Sequence, residues 1–152
     1  MTRTPIVKSI LADVNVWLAT LVEEHPHHDA ATGWWREKVL PASEDVAFCR
    51  LTQLGLLRLL SSERVMGRQR MDHAHAWAVF GEVAAQASVK FLEEPTGLDE
   101  ALADLCRRQR SSPGFWSDAY LAAFARAGQY RFATFDRGFR RFEGLDLVLL
   151  SA

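Results

Sequence analysis

The sequence predicts an α/β domain built on a mostly parallel sheet. Short apolar runs at 6–12, 46–49, 89–92, 131–135 and 147–150 read as five buried strands. Most of them are separated by segments whose apolar residues recur at helical spacing. Strands that alternate with helices in this way pair in parallel.

Each element follows from local chemistry. The first run, Ile-Val-Lys-Ser-Ile-Leu-Ala, stops at Asp13. Val14, Trp17, Leu18, Leu21 and Val22 then form a helical stripe over 14–22. His25-Pro26 breaks it, and proline suits the first turn of the next helix, near 27–39. After the second run, residues 51–60 are mostly leucine and read as a buried helix. Residues 61–70 are polar and basic, a loop or a frayed helix end, and 71–86 return to helical spacing. Beyond the third run, Thr96 and Asp99 have the spacing of a capping box for a helix carrying Leu98, Ala101, Leu102 and Leu105. Ser111-Ser112-Pro113-Gly114 is a break. Trp116, Ala119, Tyr120, Ala123, Phe124 and Ala127 form the next stripe, which Gly128 ends.

The 152 residues fit one domain, large enough to bury a core without disulfides or metals. Apolar residues at 49% and charged residues at 24% exclude a disordered chain. The apolar runs are too short to span a membrane, and the amino terminus lacks the pattern of a secretory signal, so a cytoplasmic protein is expected. Cys49 and Cys106 form no CxxC pair and read as small buried hydrophobes. A net charge of −1 argues against a purely electrostatic nucleic-acid binder and leaves room for local basic patches.

In open parallel sheets the functional crevice lies at the carboxyl ends of the strands. Asp13 and Asp136 stand at two such ends, and Asp118 opens the Trp116 helix just after a break. Taken singly, Asp13 reads as a helix cap, Asp118 as a favourable first-turn acid and Asp136 as the start of a turn. Taken together, three carboxylates at one edge repel one another, and a divalent cation with oxygen preference relieves that conflict.

Three motifs resemble those of PIN domains. They are Leu11-Ala12-Asp13-Val14-Asn15-Val16-Trp17-Leu18, Trp116-Ser117-Asp118-Ala119-Tyr120-Leu121, and Ala133-Thr134-Phe135-Asp136-Arg137-Gly138-Phe139. Arg141-Phe142-Glu143-Gly144-Leu145 also fits, as does His25-Pro26-His27-His28 before a tryptophan-bearing helix. The last feature is similar to one bacterial branch, the toxin half of VapBC-type toxin–antitoxin modules. The resemblance runs from about residue 6 to 150 and treats 1–152 as a single PIN domain.

The resemblance implies a three-layer α/β/α sandwich with a central five-stranded sheet. It implies an endoribonuclease dependent on Mg²⁺ or Mn²⁺, with Asp13, Asp118 and Asp136 as metal ligands and Asn15 and Thr134 beside them. Water would attack an RNA phosphodiester, leaving 5′-phosphate and 3′-hydroxyl ends. It further implies a homodimer and a small antitoxin that blocks the crevice. One position departs from the pattern: Gln53 stands where such nucleases usually carry glutamate. Glutamine keeps an oxygen donor and loses a charge, so a degenerate module that binds RNA or a partner without cutting is the alternative. Glu44, Asp45 and Glu143 are candidate substitutes for the missing acid.

Other features admit two readings. Arg137, Arg140 and Arg141, beside Asp136, are candidate phosphate contacts or solvated turn residues. The groups Arg64, Arg68, Arg70 and Arg107, Arg108, Arg110 read the same way. The His25–His28 cluster reads as a turn and helix start rather than a metal site. Trp34, Trp35 and Trp77 read as core or dimer surface, and Trp116 as core, with base stacking as its other reading. An aspartyl phosphotransfer domain needs a lysine late in its site, and the lysines here are Lys8, Lys38 and Lys90 only.

Overall fold

The structure, a computed structural model, describes residues 9–151. Five strands form one sheet in the order β3-β2-β1-β4-β5, every pair parallel. They are β1 Ile10–Ala12, β2 Val46–Phe48, β3 Val89–Phe91, β4 Arg131–Thr134 and β5 Leu147–Leu149. The strand expected over 6–12 begins within the described residues at Ile10; residues 6–8 lie outside them.

The helices are α1 Val14–Leu21, α2 His28–Trp34, α3 Arg50–Leu60, α4 Glu63–Met66, α5 His73–Ala84, α6 Leu98–Arg108 and α7 Phe115–Gly128. A π-helical turn, Trp35–Val39, prolongs α2. The β1–β2–β3 crossovers run one way along the sheet and the step to β4 runs back past β1. Right-handed crossovers therefore place α1–α5 and α6–α7 on opposite faces.

The core confirms these layers. Ile10, Ala12, Val46, Phe48 and Ala133 pack with Trp17, Leu56, Leu60 and Phe80 on one face. Leu11 and Phe132 pack with Leu105, Ala119, Ala123 and Phe124 on the other. Successive strand residues thus alternate between two apolar layers, which is why the strands read as continuous apolar runs. The chain is the α/β/α sandwich that the resemblance implies.

Local details differ from expectation. Residues 61–70 hold α4, whose cap is the Ser62 hydroxyl accepting from Val65 N at 3.4 Å, followed by a 3₁₀ turn, Gly67–Gln69. The capping box at Thr96 and Asp99 does not form: α6 starts after Gly97, which adopts φ +89° and supplies no side-chain acceptor. α7 ends at Gly128 as expected, and the left-handed residue that caps it is Gln129, φ +57°. Trp77 and Trp116 are 58% and 64% exposed, which removes the core reading for both. Trp34 and Trp35 are half-buried against the core, Cys49 is buried, and Cys106 is only partly so.

Candidate active site

The sheet order reverses between β1 and β4, and ligands of open α/β sheets bind beyond the carboxyl ends at such a reversal. Asp13 follows β1 and Asp136 follows β4 by two residues, so both flank that point. The register holds them there: Ala12 pairs with Ala133, and Asp13 N donates to Ala133 O at 2.8 Å.

Thr134 organises the site. Its buried hydroxyl donates to Asp13 Oδ2 at 2.7 Å. It accepts from Asn15 Nδ2 at 3.2 Å and from the Asp136 backbone N–H at 3.0 Å. Asn15 Oδ1 in turn accepts from Phe135 N at 3.3 Å. The sequence-predicted Asp13, Asn15, Thr134 and Asp136 therefore meet in one hydrogen-bonded network. The capping roles are also filled. Asp13 Oδ1 accepts from Val14 N at 2.8 Å, and Asp136 Oδ1 from Gly138 N at 2.8 Å. Capping fixes each carboxylate, and a second oxygen of each points elsewhere.

Asp118 approaches from the first turn of α7, and its carboxylate and that of Asp136 act on Asp13 as like charges. Burial, and then this repulsion, push the Asp13 pKa up to about 6, against the pull of the bonds from Thr134 and Val14. Arg141 counters part of the charge. Its Nη2 donates to Asp118 Oδ2 at 3.0 Å and its Nη1 to Gly138 O at 2.7 Å. Of the three arginines beside Asp136, Arg141 alone has a contact to a site acid; Arg137 and Arg140 are exposed on the same 3₁₀ turn, Arg137–Arg141.

Gln53 is buried on α3, and its Oε1 accepts from Arg50 Nη1 at 2.5 Å. Arg50 escaped the sequence reading, although its three-residue spacing from Gln53 on one helix was a usable signal. Gly55 escaped it too. A Cβ there would lie 2.7 Å from Val14 Cγ2, so the glycine lets α3 close onto α1 beside Asp13.

The remaining candidates lie elsewhere. Glu44 pairs with Arg131 at the start of β4 and Asp45 O accepts from Ile10 N, which puts both at the opposite edge of the sheet and overturns them as substitute acids. Glu143 pairs with Arg108 at 3.0 Å. Asp104 gathers Arg107, Arg108 and Arg126, and Arg70 faces Glu63 at 4.0 Å, so much of the outlying basic charge is paired. His28 Nδ1 lies 2.8 Å from Ala19 O and His27 stacks on Phe135, which gives two of the histidines structural roles.

Among the described residues no three His, Cys, Asp or Glu side chains close into a metal cage. The acids fit an open site instead. Mg²⁺ commonly uses one or two carboxylates and keeps several waters. A partly buried carboxylate whose ionised form is disfavoured by burial and by two neighbouring acids is the electrostatic setting that such an ion relieves.

The comparisons with known proteins agree with this geometry. The family model for the PIN domain matches residues 10–145. Ribonuclease VapC41 of Mycobacterium tuberculosis is 35% identical over 146 residues, covering 93% of this chain and 99% of the relative. The crystal structure of VapBC2 from Rickettsia felis, bound to a promoter DNA fragment, matches with a TM-score of 0.67 at 12% identity, over 93% of this chain and 98% of that one. That of M. tuberculosis VapC20, a sarcin–ricin loop cleaving toxin, matches with a TM-score of 0.62 at 20% identity, over 91% and 98%. At these identities the two structures speak to the fold. The family match and the VapC41 relationship carry the assignment: this chain belongs to the PIN domain family, among its VapC-like members.

Proposed function

We propose that this chain is a metal-dependent endoribonuclease and the toxin half of a toxin–antitoxin pair. The observation that carries the reading is the Thr134 hydroxyl, which fixes Asp13 and Asp136 at the sheet reversal with Asp118 opposite. Its near relative VapC41 is named a ribonuclease, which supports the RNA substrate.

Asp13, Asp118 and Asp136 would hold Mg²⁺ or Mn²⁺, which when bound polarises the scissile phosphoryl oxygen and lowers the pKa of a coordinated water. The Thr134 hydroxyl and the Val14 N–H orient Asp13 and favour its ionised form, and Asn15 holds the Thr134 hydroxyl in turn. Arg141, held by Asp118 and Gly138 O, would meet a phosphate oxygen, and the exposed Arg137 and Arg140 would extend that charge. Water adds to phosphorus, the bond to the 3′ oxygen breaks, and that oxygen takes a proton. The products are a 5′-phosphate and a 3′-hydroxyl.

We read residues 1–152 as one PIN domain, acting in the cytoplasm as a homodimer and held inactive by a small VapB-like antitoxin. The structural likeness to VapBC pairs supports that partnership, and among the described residues no helix is long and apolar enough to cross a membrane. The test is cleavage of total cellular RNA by the purified protein with Mg²⁺, with Mn²⁺ and with EDTA, beside Asp118→Asn. Discrete fragments are expected only with metal and only from the parent. Intact RNA with a folded, antitoxin-free parent would instead favour a non-cutting RNA-binding module, for which the Arg50–Gln53 pair is the structural motive.

A further inference from the structure

We propose that the groove beside the acids is a subsite for one unpaired RNA base flanking the scissile phosphate, with guanine as its best occupant; this rests on the ribonuclease reading. The groove encloses about 640 Å³, and Arg50, Phe91, Glu94, Trp116 and Tyr120 line it.

Its position follows from the fold. Phe91 ends β3, Arg50 opens α3 after β2, and Asp13 follows β1, so all three stand on the carboxyl edge of neighbouring strands. Adjacent strands are about 4.8 Å apart, which makes the groove a continuation of the acid crevice roughly 10 Å along that edge. The first turn of α7 separates the two: Asp118 acts on Asp13, while Trp116 and Ser117 line the groove.

Its chemistry fits a nucleotide. Trp116 and Phe91 are 64% and 42% exposed, two aromatic surfaces in one groove, and aromatic faces stack any unpaired base. Arg50 links the two regions. Its guanidinium lies 4.8 Å from the Phe91 ring centroid and donates to Gln53 Oε1, a cation held at the lip for the adjoining phosphate. Also lining the groove, the exposed Glu93 and Glu94 repel phosphate and accept N–H donors. The Tyr120 hydroxyl donates to Glu94 Oε2 at 3.2 Å and orients that carboxylate. Guanine presents two adjacent N–H donors on its Watson–Crick edge, a match for one carboxylate that adenine, cytosine and uracil lack.

The test is fluorescence anisotropy of labelled single-stranded oligoribonucleotides bound to the full chain, with Ca²⁺ in place of Mg²⁺. Four oligonucleotides differ only in a central G, A, C or U. Trp116→Ala and Phe91→Ala are expected to weaken binding roughly tenfold or more. Trp77→Ala, which removes an exposed tryptophan from α5, is expected to bind as the parent does. The parent is expected to favour G, and Glu94→Gln to lose that preference. Parent-like binding by Trp116→Ala and Phe91→Ala would overturn the subsite, and equal affinity for all four bases would overturn its guanine assignment. A change of oligomeric state in Trp116→Ala by sedimentation would also overturn it, making the groove an interface between copies. A parent that binds in this pattern without cleaving any RNA would leave the subsite standing and remove the nuclease reading instead.

Discussion

The Thr134 hydroxyl donates to Asp13 Oδ2 at 2.7 Å, and so one oxygen joins the ends of β1 and β4 across the reversal of the sheet. A hydroxyl has one donor and two acceptor positions, and Asn15 and the Asp136 N–H fill the other two. Thr134→Val keeps the shape and removes all three bonds, leaving an amide and a backbone N–H without their acceptor. Valine is expected to cost roughly 1–3 kcal/mol in thermal or urea unfolding and to lower RNA cleavage sharply. Thr134→Ser is expected to retain most of both. A valine variant that cuts like the parent would show that the hydroxyl does not place Asp13.

The raised pKa of Asp13 has a direction that can be tested. An unfolded aspartate titrates near about 3.9, whereas burial lifts the folded group to about 6. Between those values the folded chain keeps a proton that the unfolded chain has lost, so this group's contribution to stability falls as pH rises. Metal-free parent protein is expected to gain melting temperature from pH 7 to pH 5 relative to Asp13→Asn. At pH 7, Mn²⁺ is expected to stabilise the parent and not the variant. Parallel pH profiles for the two proteins would locate the raised pKa elsewhere.

The central strands, and the standing of Asp13 and Asp136 just past two of their carboxyl ends, were legible because buried parallel strands read as short apolar runs that stop near a polar residue. Local competition hid the rest. Thr96 and Asp99 have the spacing of a cap, yet Gly97 takes the left-handed conformation and starts α6 one residue later. In α7 nearly every side matches an apolar partner: Ala119, Leu121, Ala122, Ala123, Phe124 and Ala125 are all buried. Trp116 lies on the same helical stripe as Ala119, Ala123 and Phe124 and so read as core, yet it stands in the first turn of the helix and is exposed. Arg50 and Arg141 look like any solvated arginine in one dimension; their partners are Gln53 and Phe91 in one case and Asp118 in the other. The order of strands, and with it the reversal at β1 and β4, is a property of tertiary pairing that no local pattern encodes.

Gly55 tests how closely α3 must approach the acids. An alanine Cβ would stand 2.7 Å from Val14 Cγ2, a methyl on a β-branched side chain in α1 that has little room to turn. In an open helix the same change would stabilise by roughly 0.5–1 kcal/mol. Here Gly55→Ala is expected to destabilise by about 1–3 kcal/mol through overpacking, and to lower cleavage because Val14 adjoins Asp13. A variant more stable than the parent by calorimetry would show that α1 and α3 can part freely.

Gln53→Glu adds a charge where Arg50 already sits. The new carboxylate is expected to tighten Mn²⁺ binding several-fold in titration calorimetry, because α3 follows β2, the neighbour of β1, and a further negative charge on that edge of the sheet favours a cation. Unchanged affinity would mean that Arg50 neutralises position 53 completely and shields it from the ion.

Arg141 separates metal affinity from RNA affinity. In the free protein its guanidinium holds Asp118 Oδ2 and Gly138 O, stacked 4.4 Å from the Phe142 centroid. Gly138 makes room for this: a Cβ there would meet Arg141 Nη1 at 2.9 Å and Asp136 Oδ1 at 3.0 Å. In the proposed site the guanidinium and a divalent cation would compete for one carboxylate, while the same guanidinium would receive a phosphate. Arg141→Ala is expected to bind Mn²⁺ more tightly in the absence of RNA and to cleave with a higher KM. Gly138→Ala, which pushes the arginine aside and keeps its charge, is expected to reproduce the first effect and only part of the second. Weaker Mn²⁺ binding in both variants would show that Arg141 supports the acid site rather than competing with the ion for it.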